Sequence, residues 1–553
     1  MVTETGITAG DLTEQLRAAG HEPLLTPVTE SAHRTLLTGA AMNPQAVNTG
    51  DLFVAVKGAR AHGAQFIDTA LERGASAVLT DAEGVSLIRE SVDYRLPIIE
   101  VEHVRAAAGP AAAAIYGTTA TSEPALYGVT GTNGKTTTTY FLRSLLSLLL
   151  EPKGKSTGLI GTIEIAAGST PETSERIASD MTTPEAVQLH ALMHQFRSKN
   201  VAAAAMEVSS HAISYQRISG LHYDVAGFTN LTQDHLDLHG TMEEYYAAKA
   251  ELFTRSRTRT SVIIVDDAGT DSSWGHRLAG EATGRVITLA TNPGSAVRAD
   301  WEVRDVQPEG LGSAFTLRSR RTGEEIRTST ALPGDFNVSN AALAAIMVLE
   351  GAADPQRPQQ FTRDEVVHVL QQRRPFHINV PGRMQVIGTR PAAIVDFAHN
   401  PDAMIRTLEA VRPAARENGA GKLILVIGAA GERDRTKRPT MGAIAVRMAD
   451  HVIISDDDPH GEDPAQIRAD LLEGAQEAIS TGGLSTTLQE ISPRAKAITA
   501  AVAAASEHDT VLLAGRGHED HQDFAGSKHS IDDRIELARA LKDRGFETLL
   551  EAP

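Results

Sequence analysis

The sequence predicts an α/β protein of three domains: a central, mostly parallel sheet of the phosphate-loop type, a C-terminal doubly wound, Rossmann-like sheet, and a smaller N-terminal α/β unit. Three observations carry this. Short apolar runs of strand length alternate with helical patterns along the 553 residues. The run Ala125-Leu126-Tyr127 leads directly into Gly-Val-Thr-Gly-Thr-Asn-Gly-Lys-Thr-Thr at 128–137, which opens a helix. Breaks fall near Thr118–Pro124 and Arg373–Pro381, dividing the chain into 1–122, 123–376 and 377–553.

In chain order, Asp51–Val56 reads as a strand, Gln65–Arg73 as a helix, Ser76–Leu79 as a strand, and Pro110–Tyr116 as a helix running into the first linker. The central domain restarts with the strand at Ala125 and the helix Thr136–Leu150. Strand candidates follow at Val201–Val208, Val225–Thr229 and Ser261–Val265, with a helix at Glu243–Phe253. Beyond the second break the strand candidates are Ala392–Asp396, Leu423–Ile427, Val452–Ser455 and Thr510–Ala514. No repeat, heptad or low-complexity tract interrupts them.

Composition narrows the class. Charged residues are 22% and apolar residues 41%, ordinary for a globular protein. No stretch approaches the ~20 apolar residues of a membrane span, and the N-terminus has no signal-peptide pattern. The absence of cysteine excludes disulfides, thiolate metal sites and cysteine nucleophiles, and fits a cytoplasmic protein. A net charge of −18 argues against a broad nucleic-acid interface. The sequence does not fix the oligomeric state; a monomer is the starting expectation.

The turn at 131–137 has the makings of a phosphate cradle. Backbone N–H groups of Gly131, Thr132, Asn133 and Gly134 and of the helix start surround phosphate oxygens, Lys135 adds a point charge, and Thr136 or Thr137 can reach Mg²⁺. The longer Walker pattern wants glycine where Val129 stands. An incidental glycine-rich turn is the competing reading, and the strand–turn–helix context favours a nucleoside triphosphate. Met206–His211 ends an apolar run where ligands sit in open α/β sheets, and Glu207 there suits Mg²⁺. A polar cluster at Phe228–Gly240 follows another strand, and a capped helix with solvated acids competes with a functional reading. On composition alone Lys249 reads as a surface lysine.

Together these motifs resemble the Mur ligases, the ATP-dependent amino-acid-adding enzymes of peptidoglycan precursor synthesis, and within them the tripeptide-synthetase (MurE) branch. The resemblance runs through Gly131–Thr137, Met206–His211, Asn230–Gly240 with Lys249, Pro381-Gly382-Arg383, Asp396–Ala403, Gly431–Gly442 and Ala514–Asp520. It implies an N-terminal UDP-binding, a central ATP-binding and a C-terminal amino-acid-binding domain. It also implies that Lys249 is carbamylated and binds Mg²⁺ with Thr136, Glu207 and His235, that Asp396 holds the ATP ribose, and that Asn230 and Arg383 lie at the nucleotide. UDP-MurNAc-L-Ala-D-Glu would meet Thr182, Thr183, Ser209, Tyr215 (often glutamine in the family) and Arg217. Its uridine would sit near Met42–Gln45 and Gly58–Ala61, with Pro44 in place of a common serine. The implied chemistry passes through an acyl phosphate and needs no protein nucleophile.

The family's diaminopimelate-adding members usually carry Asp-Asn-Pro-Arg, and here the aligned residues are Asp457-Asp458-Pro459-His460. Without the arginine fork a second carboxylate loses a charged partner worth roughly 1.5–3 kcal/mol, while Asp458 attracts an ammonium. The motif therefore points to L-lysine first and L-ornithine second, with Arg433 on the α-carboxylate and Gly515 and Glu519 near the side-chain end. A locally protonated His460 serving meso-diaminopimelate is the competing reading. The rivals to a MurE-like ligase are MurF or folylpolyglutamate synthetase, a non-ligating nucleotide-binding regulator, and a simple P-loop kinase or NTPase.

Overall fold

The computed structural model describes residues 6–550 apart from 59, 92–95, 120, 123, 169–173, 178–180, 267–273, 294–296, 356–359 and 414–420. Ala59, in the expected uridine loop, and Ala120 and Glu123, in the expected linker, lie outside the described residues.

Three large sheets organise the chain. The N-terminal sheet has five strands in the order Leu24–Thr26, Ile98–Glu100, Ala77–Thr80, Asp51–Val54, Gly39–Ala41, parallel except for the first pair. The central sheet has eleven. Its middle is parallel and includes, side by side, Ser156–Ile160, β2 (Val201–Glu207), β1 (Ala125–Thr130), β3 (Tyr223–Phe228) and Thr258–Ile264. The C-terminal sheet runs Gln385–Thr389, β4 (Ala392–Asp396), β7 (Thr510–Ala514), β5 (Leu423–Ile427), β6 (His451–Ile454), Thr487–Glu490. Only its first pair is antiparallel.

All residues of β1, β2, β3 and β5 are buried, because helices cover both faces of a parallel sheet. The Ala202–Ala205 run in β2 favours helix by propensity. It is held as a strand because apolar clusters close on both sides, one containing Phe141 and the other Phe196. Two features lie beyond the sequence reading. One is the antiparallel extension Trp301–Glu309, Gly312–Ser319, Glu325–Thr330. The other is the helix Asp335–Ala352, buried from Val338 to Gly351 except Ser339 and packed on α1 (Lys135–Leu150).

The expected helix start at Pro110 is corrected: the helix runs Val104–Tyr116 with Pro110 inside it. A mid-helix proline leaves a carbonyl four residues back without its amide donor. That carbonyl, Ala106 O, accepts the Ser219 hydroxyl at 3.3 Å. Gly109 is needed in the same place, since a Cβ there would lie 2.1 Å from Ser219 O. The Gly-Pro pair is therefore where this N-terminal helix docks on the central domain. No helix among the described residues is long and apolar enough to cross a membrane.

Candidate active site

The phosphate-loop turn begins at Gly131, not earlier, which explains Val129: it is a fully buried residue of β1. Gly131 and Gly134 have φ of +146° and +91°, and a Cβ on them would come within 1.9 Å of Thr229 Oγ1 and 2.4 Å of Asn340 Oδ1. Asn230 braces the turn. Its Oδ1 accepts from Asn133 N (3.0 Å), its amide donates to Asn133 O (3.2 Å), and its carbonyl accepts from Thr132 N (2.9 Å). Lys135 opens α1 and curls back, donating to Gly131 O (3.0 Å) and Thr132 O (2.9 Å). Burial lowers its pKa, opposed by Glu207 and Asp234.

At the end of β2, Glu207 is held by three donors: the Thr162 amide (2.8 Å), the Thr162 hydroxyl (3.0 Å) and the Thr136 hydroxyl (3.0 Å). Thr162 escaped the sequence reading. The signal was its place, with Gly161, just after the apolar strand Ser156–Ile160. His235, in the left-handed region at φ +53°, lies edge-on to His211 with ring centres 4.9 Å apart. Burial, with Lys135, His211 and Lys249 nearby, lowers His235 to about 4 despite Asp234, so the imidazole is neutral at pH 7. Asp234 is lowered to about 2: burial acts against ionisation, but His235, His399 and Lys437 outweigh it.

Lys249 is not a surface residue. It is 1% exposed on α2 (Met242–Ala250), sits 4.5 Å over the Tyr245 ring, and donates to Gly131 O at 2.9 Å. Burial, then Lys135, lowers its pKa well below the usual lysine range. The neutral amine is the form that can add CO₂. Among the described residues no group of three His, Asp or Glu side chains is arranged to cage a metal. The Glu207 carboxylate and the Thr136 hydroxyl are oxygen donors of the kind Mg²⁺ takes beside substrate phosphates, and a carbamate on Lys249 would add another, while the neutral His235 imidazole could offer only a nitrogen.

Adjoining Glu207, the Thr183 hydroxyl donates to Glu207 O (3.0 Å), and the Thr182 and Thr162 hydroxyls are 3.1 Å apart. Ser209 caps the short helix Ser210–Ser214 through Ala212 N. Arg217 pairs with Glu185 (3.1 Å), which Arg105 of the N-terminal domain also approaches (3.7 Å). Both guanidiniums face the Tyr215 ring, at 5.7 and 5.8 Å.

The C-terminal domain supplies the far side. Arg383 lies on the Phe397 ring at 4.1 Å. Asp396, at the end of β4, accepts from Met384 N (2.7 Å), Ala398 N (3.0 Å) and the Thr407 hydroxyl (3.2 Å), which fixes its orientation. After β6, Asp458 and His460 lie with Nε2 to Oδ2 at 4.0 Å, and His460 Nδ1 is 3.6 Å from Asp523, a carboxylate the sequence reading missed. Glu519 is raised to about 8, by burial first and then Asp457, with Asp458 adding to it.

One cavity of about 660 Å³ joins these walls. The expected residues Thr132–Thr137, Thr182, Thr183, Glu207, Ser209, Arg217, Asn230, His235, Arg383, Asp396, Arg433, Asp457, Asp458, His460, Gly515 and Glu519 all line it. Gly131, Pro44, Tyr215, Pro459 and Lys249 do not. Pro44 sits in the N-terminal domain at the start of a 3₁₀ turn whose Asn43 side chain accepts Gln45 N, a position where a missing N–H costs nothing. The domains meet at the phosphate loop: Asn133 donates to Asp402 (3.0 Å) of α3 (Pro401–Val411) and accepts from Asn400 (3.2 Å), which also donates to Asp234 (3.3 Å).

Family models match most of this frame: the Mur ligase middle domain over 129–348, the Mur ligase glutamate ligase domain over 382–517, and the Mur ligase family catalytic domain over 37–116. A curated relative from Leifsonia xyli, a UDP-N-acetylmuramyl-tripeptide synthetase, is 42% identical over 92% of each chain.

The chain belongs to the Mur ligase family. Another Mur ligase, from Streptomyces coelicolor, is named UDP-N-acetylmuramoyl-L-alanyl-D-glutamate–2,6-diaminopimelate ligase and is 41% identical over 92% of each chain. A solved structure of a ligase of that name matches 98% of this chain and 100% of its own, with 28% identity and a TM-score of 0.60. The Thermotoga maritima MurF structure in complex with ADP shares the Mur ligase fold at 20% identity and a TM-score of 0.59, covering 92% of this chain and 98% of that one.

Proposed function

We propose that this Mur ligase uses ATP to join a diamino acid to the D-glutamate of UDP-MurNAc-L-Ala-D-Glu. The observation that carries the reading is the shared cavity. It puts the phosphate loop, Glu207 and His235, the Thr182–Ser209–Arg217 wall and the Arg433–Asp458–Glu519 wall within reach of one another. The division into domains at 122 and 376 belongs to the same reading.

In this account the phosphate loop and Lys135 hold the triphosphate, Asn230, Arg383 and Asp396 the rest of the nucleotide, and Thr182, Thr183, Ser209 and Arg217 the acceptor. Tyr215 serves by orienting Arg217, not by a polar contact. The substrate carboxylate attacks the γ-phosphorus and ADP leaves. The amine then attacks the acyl carbon, and phosphate is expelled with the carbonyl re-formed. Thr136, Glu207, His235 and a carbamylated Lys249 would hold Mg²⁺, which would neutralise phosphate charge. The protein contributes positioning and charge, so no side-chain nucleophile is called for.

For the amino acid, the relatives' names support meso-diaminopimelate as the first reading, which reverses the order suggested by the motif alone. A specific feature keeps L-lysine, with L-ornithine behind it, as the second. On the pocket wall His460 is flanked by the carboxylates of Asp458 and Asp523, with no arginine in the motif position, a setting suited to an ammonium. An equimolar mixture of meso-diaminopimelate, L-lysine and L-ornithine, with the product read by mass spectrometry, tests both. Diaminopimelate in the product supports the first reading, lysine or ornithine the second, and no amino-acid adduct at all refutes the ligase assignment.

A further inference from the structure

The amino-acid wall is built from two loops that leave neighbouring parallel strands, 428–436 after β5 and 455–463 after β6. Sheet hydrogen bonds fix the strands only as far as Ile427 and Ile454. Beyond them the loops touch backbone to backbone: Gly431 N donates to Asp458 O at 2.8 Å, and a Cβ on Gly431 would meet Pro459 O at 2.0 Å. Each loop also carries a non-glycine residue in the left-handed region, Glu432 at φ +53° and His460 at φ +48°. Such conformations are strained for residues with a Cβ and persist only where the surroundings over-determine them.

His460 is pinned by its backbone, its N–H donating to Asp523 O (2.9 Å) and its carbonyl accepting from Ala525 N (2.7 Å), whereas Glu432 is held by an ion pair that also bridges the two loops. Arg438, 1% exposed, donates from Nη1 to Glu462 Oε2 (3.1 Å) and Asp470 (2.9 Å), and from Nη2 to both Glu462 oxygens (3.1 Å each) and Ala430 O (3.2 Å). Glu462 belongs to the second loop, yet it accepts the backbone amide of Glu432 in the first and pairs with Arg435 (3.1 Å). One carboxylate thus holds the residue before Arg433 and stands two residues after His460.

Stability alone is a weak reason to bury this pair. Arg438 lies in the first turn of α4 (Lys437–Met448), the positive end of the helix dipole, where a cation is disfavoured. Its Nε has no hydrogen-bond partner although buried. A buried ion pair of this kind is often no more stabilising than apolar residues of the same size. Its return is geometric.

We propose that Arg438 and Glu462 are positioning residues for the amino-acid substrate: the pair locks the two loops in register so that Arg433 and the Asp458–His460 segment face one another across the pocket. The proposal rests on the ligase reading above. Asp470 provides the internal control, because it braces Arg438 from α5 (Pro464–Gly482) without touching either pocket loop.

The test is steady-state kinetics of Glu462→Gln, Glu462→Asp and Asp470→Asn, varying each substrate, alongside thermal melting. Glu462→Gln is expected to raise KM for the amino acid at least tenfold, with KM for ATP and for the UDP-linked acceptor within twofold. Glu462→Asp, which keeps the charge and guards against misfolding, is expected to give a smaller rise in the same constant only. Asp470→Asn is expected to lower the melting temperature and leave all three KM values unchanged. An unaltered amino-acid KM in both Glu462 variants, or an equal rise in all three KM values, would overturn the proposal. A wild-type protein that forms no adduct with any amino acid would instead refute the ligase reading.

Discussion

Thr162 gives both its backbone N–H and its hydroxyl to the carboxylate of Glu207, at 2.8 and 3.0 Å. A single turn residue between two strands thereby aims the acid that ends β2 at the phosphate loop. A hydrogen bond to a charged group is worth roughly 1.5–3 kcal/mol. Thr162→Ala is therefore expected to raise the Mg²⁺ concentration for half-maximal activity, and for half-maximal stabilisation against melting with a non-hydrolysable ATP analogue, by about ten- to a hundredfold. Thr162→Ser, which keeps both donors, should restore most of it. Equal Mg²⁺ dependence in the alanine variant would remove Thr162 from the site.

Lys249 is a buried amine lowered well below its ordinary pKa by desolvation and by Lys135. A neutral amine takes up CO₂, whereas a guanidinium does not. With ¹³C-bicarbonate the wild type is expected to show a carbamate carbon resonance that Lys249→Arg lacks, and Lys249→Arg should lose at least two orders of magnitude in kcat. A labelled wild type with no such resonance would contradict the carbamate.

Glu519 is raised to about 8 by burial and Asp457. Between about 4.5 and 8 the folded protein holds a proton that the unfolded chain has lost, so stability falls as pH rises through that window. The slope is at most about 1.4 kcal/mol per pH unit, and less because the side chain is one-third exposed. Urea midpoints measured across this range should show the decline, and Glu519→Gln should flatten it. A parallel decline in the variant would assign the slope to another group.

His460 stands between Asp458 and Asp523 where the family's diaminopimelate-adding members usually have arginine. His460→Arg combined with Asp458→Asn restores a fork for a second carboxylate and removes a repelling charge. The ratio of kcat/KM for meso-diaminopimelate over L-lysine is expected to rise ten- to a hundredfold. An unchanged ratio would show that this segment does not read the side chain.

Much of this was legible in the sequence because strand ends in an open α/β sheet are marked by chemistry. The phosphate loop, Glu207 and Asp457–His460 each follow an apolar run directly, and β4, β5 and β7 have the bounds their apolar runs predict. What escaped is what depends on tertiary contact. Pro110 reads as a helix start because nothing local reveals that Ser219 will satisfy the carbonyl it frees. Lys249 reads as a surface lysine because its burial comes from the phosphate loop 118 residues away. Thr162 and Asp523 carry no motif of their own, and their partners, Glu207 and His460, lie far away in the sequence. The helix Asp335–Ala352 is apolar on nearly every side, so it lacks the amphipathic period that marks a surface helix.

The proposed coupling of ATP cleavage to amide formation in one cavity makes phosphate release depend on the amine. Phosphate release with ATP, Mg²⁺ and UDP-MurNAc-L-Ala-D-Glu, measured with and without the diamino acids, tests it most directly. Release is expected to stay near background until acceptor and a diamino acid are both present, and then to match adduct formed one to one. Release that proceeds at the same rate without any amino acid would contradict it and leave a nucleotide hydrolase in a ligase frame.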